Sequence, residues 1–207
     1  SRNLQQYSEY FRYWPKWNRL IILNTVEAPE LERRWNADGY YDEVHCSVIG
    51  FQARSLDGKT PKYLTYTLEK ICAEISMPYK PKPGTEEMIK KLSNTFFSTH
   101  VDWTSQVVIT EGPLDALFID NAIGLSGATK TNAKLDNNYL CQYLFDNDTT
   151  GRREQTNKAI KFQKAMFDWK SLLNDIECDE QLKDWNDVVN HCKKSDITLP
   201  ELNKYFI

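Results

Sequence analysis

The sequence has no long apolar run. Its longest aliphatic stretches, such as Leu20–Leu23, are far shorter than the roughly 20 residues that a membrane-spanning helix needs. Glycine and proline are scarce, with 8 of each among 207 residues, while 41% of the chain is hydrophobic. This composition excludes a disordered chain and is typical of a globular one with a core. We therefore expect a folded protein without a membrane segment.

A large excess of one charge is also missing. The chain carries 26 Lys and Arg against 29 Asp and Glu, which gives a net charge of −3. This balance excludes a polycationic nucleic-acid coat protein. The 5 cysteines are widely spaced and form no C-x-x-C pair, which argues against a disulfide scaffold or a zinc ribbon. Such cysteine usage favours a reducing compartment, so a cytoplasmic location is expected.

The motifs of two common enzyme classes are absent from the sequence. There is no G-x-x-x-x-G-K-[ST] loop, and the scattered residues His45, His100 and His191 complete no Ser/His/Asp arrangement. The sequence therefore gives no support to a P-loop ATPase or a serine hydrolase.

Aromatic residues crowd the N-terminal segment instead. Their spacings of three and four predict a short helix that ends near Pro15. We expect them to pack in a core or between domains, although aromatic rings also stack on the bases of single-stranded nucleic acids. These aromatic residues are Tyr7, Tyr10, Phe11, Tyr13, Trp14 and Trp17.

The next elements are a hairpin and a connector. Residues 44–67 predict a β-hairpin, because Asp57-Gly58 is a strong turn signal between two β-rich segments. Three prolines within residues 77–84 predict a stiff extended connector. We therefore expect two domains, residues 1–84 and residues 85–207.

Strands followed by helices make up the second half, which is typical of an α/β unit with a largely parallel sheet. Thr149 is the predicted cap of a long helix whose inward face carries Ala159, Phe162, Met166 and Trp169. The predicted elements are strands over 106–110, 124–127 and 139–145, and helices over 113–122 and about 149–168.

Three carboxylates follow two of these strands. Glu111 comes directly after one strand, and Asp146 and Asp148 come directly after another, so all three are expected at one edge of the sheet. Taken alone, the Asp-Asn-Asp run is also consistent with a solvated turn and helix cap. The second acidic strand end favours a site for a hard divalent cation, Mg²⁺ or Mn²⁺, which oxygen ligands select over zinc.

These acidic elements resemble the signature of the TOPRIM domain. Glu111-Gly-Pro-Leu-Asp115 is similar to its E-G-x-x-D element, and Asp146-Asn-Asp148 is similar to its D-x-D element. TOPRIM domains occur in bacterial-type primases, in type IA and type II topoisomerases and in some nucleases.

Two further stretches resemble primases in particular. The run from Ile49 to Arg54 and the run Pro61-Lys62-Tyr63-Leu64 look like the I-G-F-x-x-R and P-K-Y-L elements of the N-terminal primase subdomain. Lys183-Asp184-Trp185 is similar to the closing K-D-P element, with Trp185 in place of proline. The resemblance spans about residues 44–190 and is nearest to phage primases, while residues 20–43 match no element of that family.

The resemblance implies an α/β fold, α+β overall. Its core would be a TOPRIM Rossmann-like parallel sheet with flanking helices, preceded by a smaller mixed subdomain that contains the hairpin. Residues of three kinds are implied. They are the catalytic acids Glu111, Asp146 and Asp148, the additional metal-facing acids Asp184 and Asp115, and the nucleotide- or template-binding residues Arg54, Lys62 and Tyr63.

The resemblance also implies a function, which is that of a DNA primase catalytic core. This nucleotidyltransferase would use Mg²⁺ or Mn²⁺ to make short RNA primers from nucleoside triphosphates on a single-stranded DNA template. A replicative helicase is a further candidate partner, and the location would be the host cytoplasm if the protein is phage-encoded. Two alternatives stay open, a TOPRIM metal-dependent nuclease and a non-catalytic replication component that binds single strands or a helicase.

The predicted long helix adds basic residues beside the acidic centre. These could contact phosphate, although a solvated helix face explains the lysines equally well. They are Arg152, Arg153, Lys158, Lys161 and Lys164.

Overall fold

A computed structural model describes residues 11–27, 46–67, 70, 73, 96–97, 101–125, 133–178 and 182–207. Internal contacts divide the chain into two compact units, one of Glu9–His100 and one of Ser1–Ser8 with Val101–Ile207. We call these the N-terminal and C-terminal units. The connector and domain boundary that the prolines of residues 77–84 predict lie outside the described residues.

The N-terminal unit contains an antiparallel sheet in the strand order β1-β2-β3-β4. Its helical element is a 3₁₀ turn over Pro15–Trp17. The strands are β1 (Phe11–Trp14), β2 (Arg19–Glu27), β3 (Cys46–Ser55) and β4 (Tyr63–Thr67), and a two-residue strand β5 (Phe96–Phe97) follows.

The predicted hairpin is present as β3 and β4, which pair antiparallel from Gly50↔Thr67 to Arg54↔Tyr63. Gly58 has φ +76°, a conformation that glycine adopts without strain, so it can serve the connecting loop. One face of the sheet builds a core from Ile21, Phe51, Ala53 and Tyr66.

The helix predicted to end near Pro15 is wrong over its described part. Phe11–Trp14 form strand β1, which pairs with β2 through Phe11↔Ile22 and Trp14↔Arg19. Aromatic residues fit a pleated surface well, and here Trp14 stacks on Trp17 with ring centroids 4.3 Å apart. Pairing with β2 therefore overrides the local spacing.

The C-terminal unit contains three parallel strands with β6 in the middle, between β7 and β8. The buried residues of these strands form near-continuous apolar runs, as expected for a parallel sheet covered on both faces. The strands are β6 (Val107–Thr110), β7 (Ala122–Leu125) and β8 (Cys141–Leu144). The helices are α1 (Pro113–Ala116), α2 (Ala133–Asp136), α3 (Thr149–Phe162), α4 (Trp169–Asp175) and α5 (Trp185–Ser195), with a 3₁₀ turn over Leu202–Tyr205.

Two predicted helices are shorter in the structure. The helix expected over 113–122 ends at Ala116. The last residue of the predicted helix, Ala122, is instead the first residue of β7. The helix expected to reach about residue 168 ends at Phe162, where Gln163 adopts a left-handed conformation. Met166 is therefore outside the helix and exposed, and Trp169 instead begins α4.

The fold is thus mixed α/β, with an antiparallel sheet in one unit and a parallel sheet with helices in the other. Among the described residues, no helix combines the length and the apolar character that crossing a bilayer requires.

Candidate acidic site

The parallel sheet brings the predicted acids to one edge. β6 and β8 are neighbours, with Thr110 opposite Leu144 at their carboxyl ends. Glu111 is the first residue after β6, and Asp146 and Asp148 follow β8. The order of the strands in the sheet therefore places side chains from positions 35 residues apart next to one another.

The backbone that precedes Asp146 is held on both sides. The amide of Phe145 donates to the Gln155 side chain at 3.0 Å, and its carbonyl accepts from the indole of Trp169 at 3.1 Å. All three residues are buried. Buried backbone groups that find partners in this way give the loop a defined path, so the direction of Asp146 is fixed by α3 and α4.

Asn147 points away from its acidic neighbours and ties the loop to another segment. Its amide donates to the carbonyl of Lys183 at 2.6 Å, and its side-chain nitrogen donates to the carbonyl of Leu182 at 3.0 Å. Its side-chain oxygen accepts from Arg152 at 3.2 Å. These bonds bring Asp184, the next residue along, to the acidic loop.

Helix capping orients two of the acids. Asp148 caps α3 by accepting from the amide of Gly151 at 2.8 Å, so Thr149, the predicted cap, is instead the first helical residue. Asp184 caps α5 by accepting from the amide of Asp187 at 2.9 Å, and Asp187 in turn accepts from the amide of Lys183 at 3.0 Å. These two bonds resemble a capping box, except that Asp187 binds the amide of Lys183, one residue before the N-cap, and they hold Asp184 at the start of α5.

Gly151 lets α3 approach the acidic loop closely. A Cβ atom at this position would lie 2.2 Å from the carbonyl oxygen of Asp146. Only glycine therefore fits there without a shift of backbone. A similar close approach occurs at Gly124 of β7, where a Cβ atom would lie 2.4 Å from the Cα of Pro113.

The electrostatics of Asp146 show that the acids are neighbours. Burial, as the largest cause, and the negative charges of Glu111, Asp184 and Asp148 together raise the pKa of Asp146 to about 7, although Lys183 lowers it. Like charges in a partly buried site disfavour ionisation. Four carboxylates from three separate chain segments thus act on one site.

Asp115, the remaining predicted acid, is buried in α1. Its carboxylate accepts from the backbone amide of Asn186 at 3.3 Å. This bond joins α1 to the first turn of α5, beside Asp184. The contact favours a positioning role for Asp115 in place of the metal-facing one that the resemblance implies.

The donor set suits a hard cation in chemistry and charge. Mg²⁺ and Mn²⁺ prefer oxygen ligands, which are offered here by Glu111, Asp146, Asp148 and Asp184. The pKa of Asp146 is raised by burial first and then by the neighbouring negative charges, and a cation would neutralise those charges. Within the described ranges, no three His, Cys, Asp or Glu side chains are already gathered as a group that could hold an ion. The acids are close enough to influence the charge of Asp146, but they do not form a preformed coordination shell.

The predicted nucleotide-binding residues come together in the N-terminal unit. Arg54 donates to the hydroxyl of Tyr63 at 2.9 Å, and its guanidinium carbon lies 5.5 Å from the centre of the Tyr63 ring. The ammonium of Lys62 lies 5.9 Å from the same ring centre. Two cations thus lie within 6 Å of the centre of the Tyr63 ring.

Two basic residues of the predicted long helix have structural partners in place of phosphate. Lys158 is buried and lies 3.5 Å from Asp136, which also accepts from the hydroxyl of Tyr143. Lys164 donates to the carbonyl of Asn138 at 2.6 Å. The interpretation of these two lysines as phosphate contacts is therefore wrong, whereas Arg152, Arg153 and Lys161 are exposed.

Sequence reasoning missed Asn147 and Lys183 as parts of the site. The alternation of side chains in an extended segment predicts that Asn147 points away from Asp146 and Asp148, but it does not identify the groups that Asn147 binds. Compared with models of known protein families and with curated proteins, the chain matches none.

Proposed function

We propose that the chain is the catalytic core of a TOPRIM-type DNA primase, nearest to the phage form. The single observation that carries the proposal is the meeting of Glu111, Asp146 and Asp148 at the ends of adjacent parallel strands, where Asp184, the N-cap of α5, joins them. These are the acids of three motifs that stand in the family's order.

The reaction would be the attack of a 3′-hydroxyl on the α-phosphate of a nucleoside triphosphate. Divalent cations, when bound, would orient the triphosphate and neutralise the charge that develops on the leaving pyrophosphate. Glu111, Asp146, Asp148 and Asp184 would hold them. The capping bonds of Asp148 and Asp184 keep both carboxylates in place, which reduces the reorganisation that binding requires.

The choice of a primase over a nuclease rests on the N-terminal unit. Arg54, Lys62 and Tyr63 belong to the two stretches that resemble the primase subdomain, and the side chains form one cluster. Charge-assisted contacts from such cations suit phosphate groups of a nucleotide or a template strand. A nuclease that uses the same acids would not require this cluster.

The test is incubation of the full chain with single-stranded DNA, labelled nucleoside triphosphates and Mg²⁺ or Mn²⁺. We expect short labelled oligonucleotides that form only when template is present. Loss of template without synthesis would replace the proposal with the nuclease, and the absence of both reactions would contradict a catalytic function. Protein without added metal is the matched control.

A further inference from the structure

Helix α4 ends in a turn that fixes the position of Cys178. Glu177 adopts a left-handed conformation, with φ 49°, and its amide donates to the carbonyl of Asn174 at 3.2 Å. The amide of Cys178 donates to the carbonyl of Leu173 at 3.0 Å. These two bonds form a Schellman motif, in which residues that follow a helix satisfy its last carbonyls. The backbone of Cys178 therefore has a defined position at the end of α4.

The side chain of Cys178 contacts His191 of α5. Its Sγ lies 3.7 Å from Nδ1 of His191, and Nε2 of the same ring lies 3.4 Å from the carbonyl oxygen of Ile176. A carbonyl oxygen only accepts hydrogen bonds, so Nε2 carries the ring proton when His191 is neutral. Nδ1 is then the acceptor, and the thiol of Cys178 donates to it. A nucleophile thus contacts a base that a third group orients, which is the arrangement that activates nucleophiles in covalent catalysis.

A cavity of about 610 Å³ adjoins this pair, and Cys178 forms part of its wall. The exposed residues Lys170 and Asn174 also line the cavity, so it opens to solvent. Its volume lies within the range of small-molecule sites. Because Cys178 is only 8% exposed, a small reagent would reach its sulfur through this cavity.

A second thiol, that of Cys192, lies one residue after His191 in α5. Cys192 is 2% exposed, and burial first and then the neighbouring Cys178 raise the pKa of its thiol. A raised pKa keeps a thiol protonated and therefore unreactive. Cys192 thus serves as an internal reference for the reactivity of Cys178.

We propose that Cys178 is a nucleophilic thiol that exchanges with small disulfides, with His191 as its base. The proton of the Cys178 thiol passes to Nδ1 of His191 as the sulfur attacks one sulfur of the disulfide. A bond forms between these two sulfurs, the original S–S bond breaks, and the departing thiolate takes the proton. The products are a mixed disulfide on Cys178 and one small thiol, so the small disulfide is the oxidant and no other reagent is needed.

This proposal is independent of the proposed function, because the exchange uses none of the carboxylates of the acidic site. The cavity nevertheless adjoins the acidic loop. Asn147 and Arg152, whose side chains share a hydrogen bond at that loop, line the same cavity. A mixed disulfide on Cys178 would therefore occupy space next to the acidic loop.

The test is the reaction of the full chain with dithiobis(nitrobenzoate), a small aromatic disulfide that releases a coloured thiolate. Cys46 and Cys72, whose side chains lie outside the described residues, are first replaced by serine. At about pH 7 we expect one rapid adduct per chain, which peptide mass mapping places on Cys178, while the buried Cys141 and Cys192 react only in urea. Cys192→Ser, the matched control, should react at the parent rate.

The variant His191→Gln tests the base. A thiol with the usual pKa of about 8.5 is only about 3% ionised at about pH 7, so loss of the base should slow the reaction of Cys178 by roughly 10- to 30-fold. At about pH 9.5, where such a thiol ionises in water without a base, the difference should shrink to less than about threefold. A purely structural effect of the substitution would slow the reaction equally at both pH values.

Three results would overturn the proposal. They are a folded parent in which Cys178 reacts no faster than Cys192, a His191→Gln variant that reacts at the parent rate at about pH 7, and a deficit of this variant that persists at about pH 9.5. The first comparison is made within the parent protein, so it stands even if His191→Gln fails to fold. Since the assay contains no metal, nucleotide or template, its outcome is separate from that of primer synthesis.

Discussion

At the scale of single residues, Asp146 combines partial burial with three neighbouring negative charges. Its pKa of about 7 in the folded protein exceeds its ordinary value of 3.8. Between these two pH values the folded state holds a proton that the unfolded state has released. Raising the pH through this window therefore favours unfolding.

The first prediction concerns the metal-free protein. In EDTA the free energy of unfolding should fall by about 1–2 kcal/mol as the pH rises from 4 to 8, since each pKa unit corresponds to about 1.4 kcal/mol and solvent screens a partly exposed carboxylate. Asp146→Asn should lose most of this dependence and be the more stable protein at pH 8. Urea unfolding at several pH values measures both, with the exposed Asp120→Asn as control. Equal pH dependence in parent and Asp146→Asn would contradict the electrostatic description of the site.

At the scale of secondary-structure elements, the site depends on how closely α3 lies against the acidic loop. Gly151 stands in the first turn of this helix, and its Cα faces the backbone of Asp146. A larger residue must push the helix and the loop apart, and it thereby displaces both Asp146 and Asp148.

Gly151→Ala should therefore destabilise the protein by about 2–3 kcal/mol, the usual range for an added methyl group without space. Nucleotidyl transfer should fall with it. Thr150→Ala, at the exposed neighbouring position, should change stability by no more than about 0.5 kcal/mol. Thermal and urea unfolding of the two variants make the comparison, and equal stability would show that the loop can yield.

A second prediction at this scale separates the lysines of α3. Lys158→Met leaves the buried carboxylate of Asp136 without its cation, which should cost about 3 kcal/mol of stability. Lys161→Met, on the exposed side of the same helix, should be close to neutral. Urea unfolding distinguishes them. If Lys158→Met unfolds at the parent's urea concentration, the ion pair contributes nothing.

The sequence predicted the elements whose signal is local and missed those that depend on distant partners. Continuous apolar runs at Val107–Thr110 and Cys141–Leu144 predict buried strands, and Asp57-Gly58 predicts the hairpin turn. Strand β1 forms only because β2 pairs with it, which the spacing of its aromatic residues does not reveal.

The acidic site follows the same division. Carboxylates at the ends of parallel strands can be placed from the sequence, because the topology brings strand ends together. The bonds of Asn147 to the carbonyls of Leu182 and Lys183 cannot, since backbone carbonyls have no sequence signal. For the same reason the carbonyl partner of Lys164 was unpredictable, and the pairing of Lys158 with Asp136 depends on tertiary packing.

At the scale of the whole molecule, charge is arranged in local groups. Acids gather around Asp146 beside the parallel sheet, while the cations of Arg54 and Lys62 lie near the Tyr63 ring in the N-terminal unit. A net charge of −3 is therefore compatible with binding a polyanion, because a few phosphates require only a local cationic patch.

This distribution predicts how single-strand binding responds to salt. If Arg54, Lys62 and about one further cation neutralise phosphates, affinity should fall by roughly tenfold between about 50 and 200 mM salt. Lys62→Ala should reduce that slope, whereas Lys16→Ala, exposed in the 3₁₀ turn of the same unit, should leave it nearly unchanged. Anisotropy titrations at several salt concentrations measure the slope. A slope that Lys62→Ala does not alter would remove Lys62 from the contact.

The central claim is that the carboxylates around Asp146 form the centre of a template-dependent nucleotidyl transfer. Primer synthesis by parent, Asp146→Asn and Asp120→Asn proteins, measured side by side with single-stranded DNA and Mn²⁺, tests it most directly. We expect synthesis by the parent and Asp120→Asn and a loss of at least about 100-fold in Asp146→Asn, since an electrostatic contact of this kind is commonly worth that much. Primers made by Asp146→Asn at the parent rate would contradict the account.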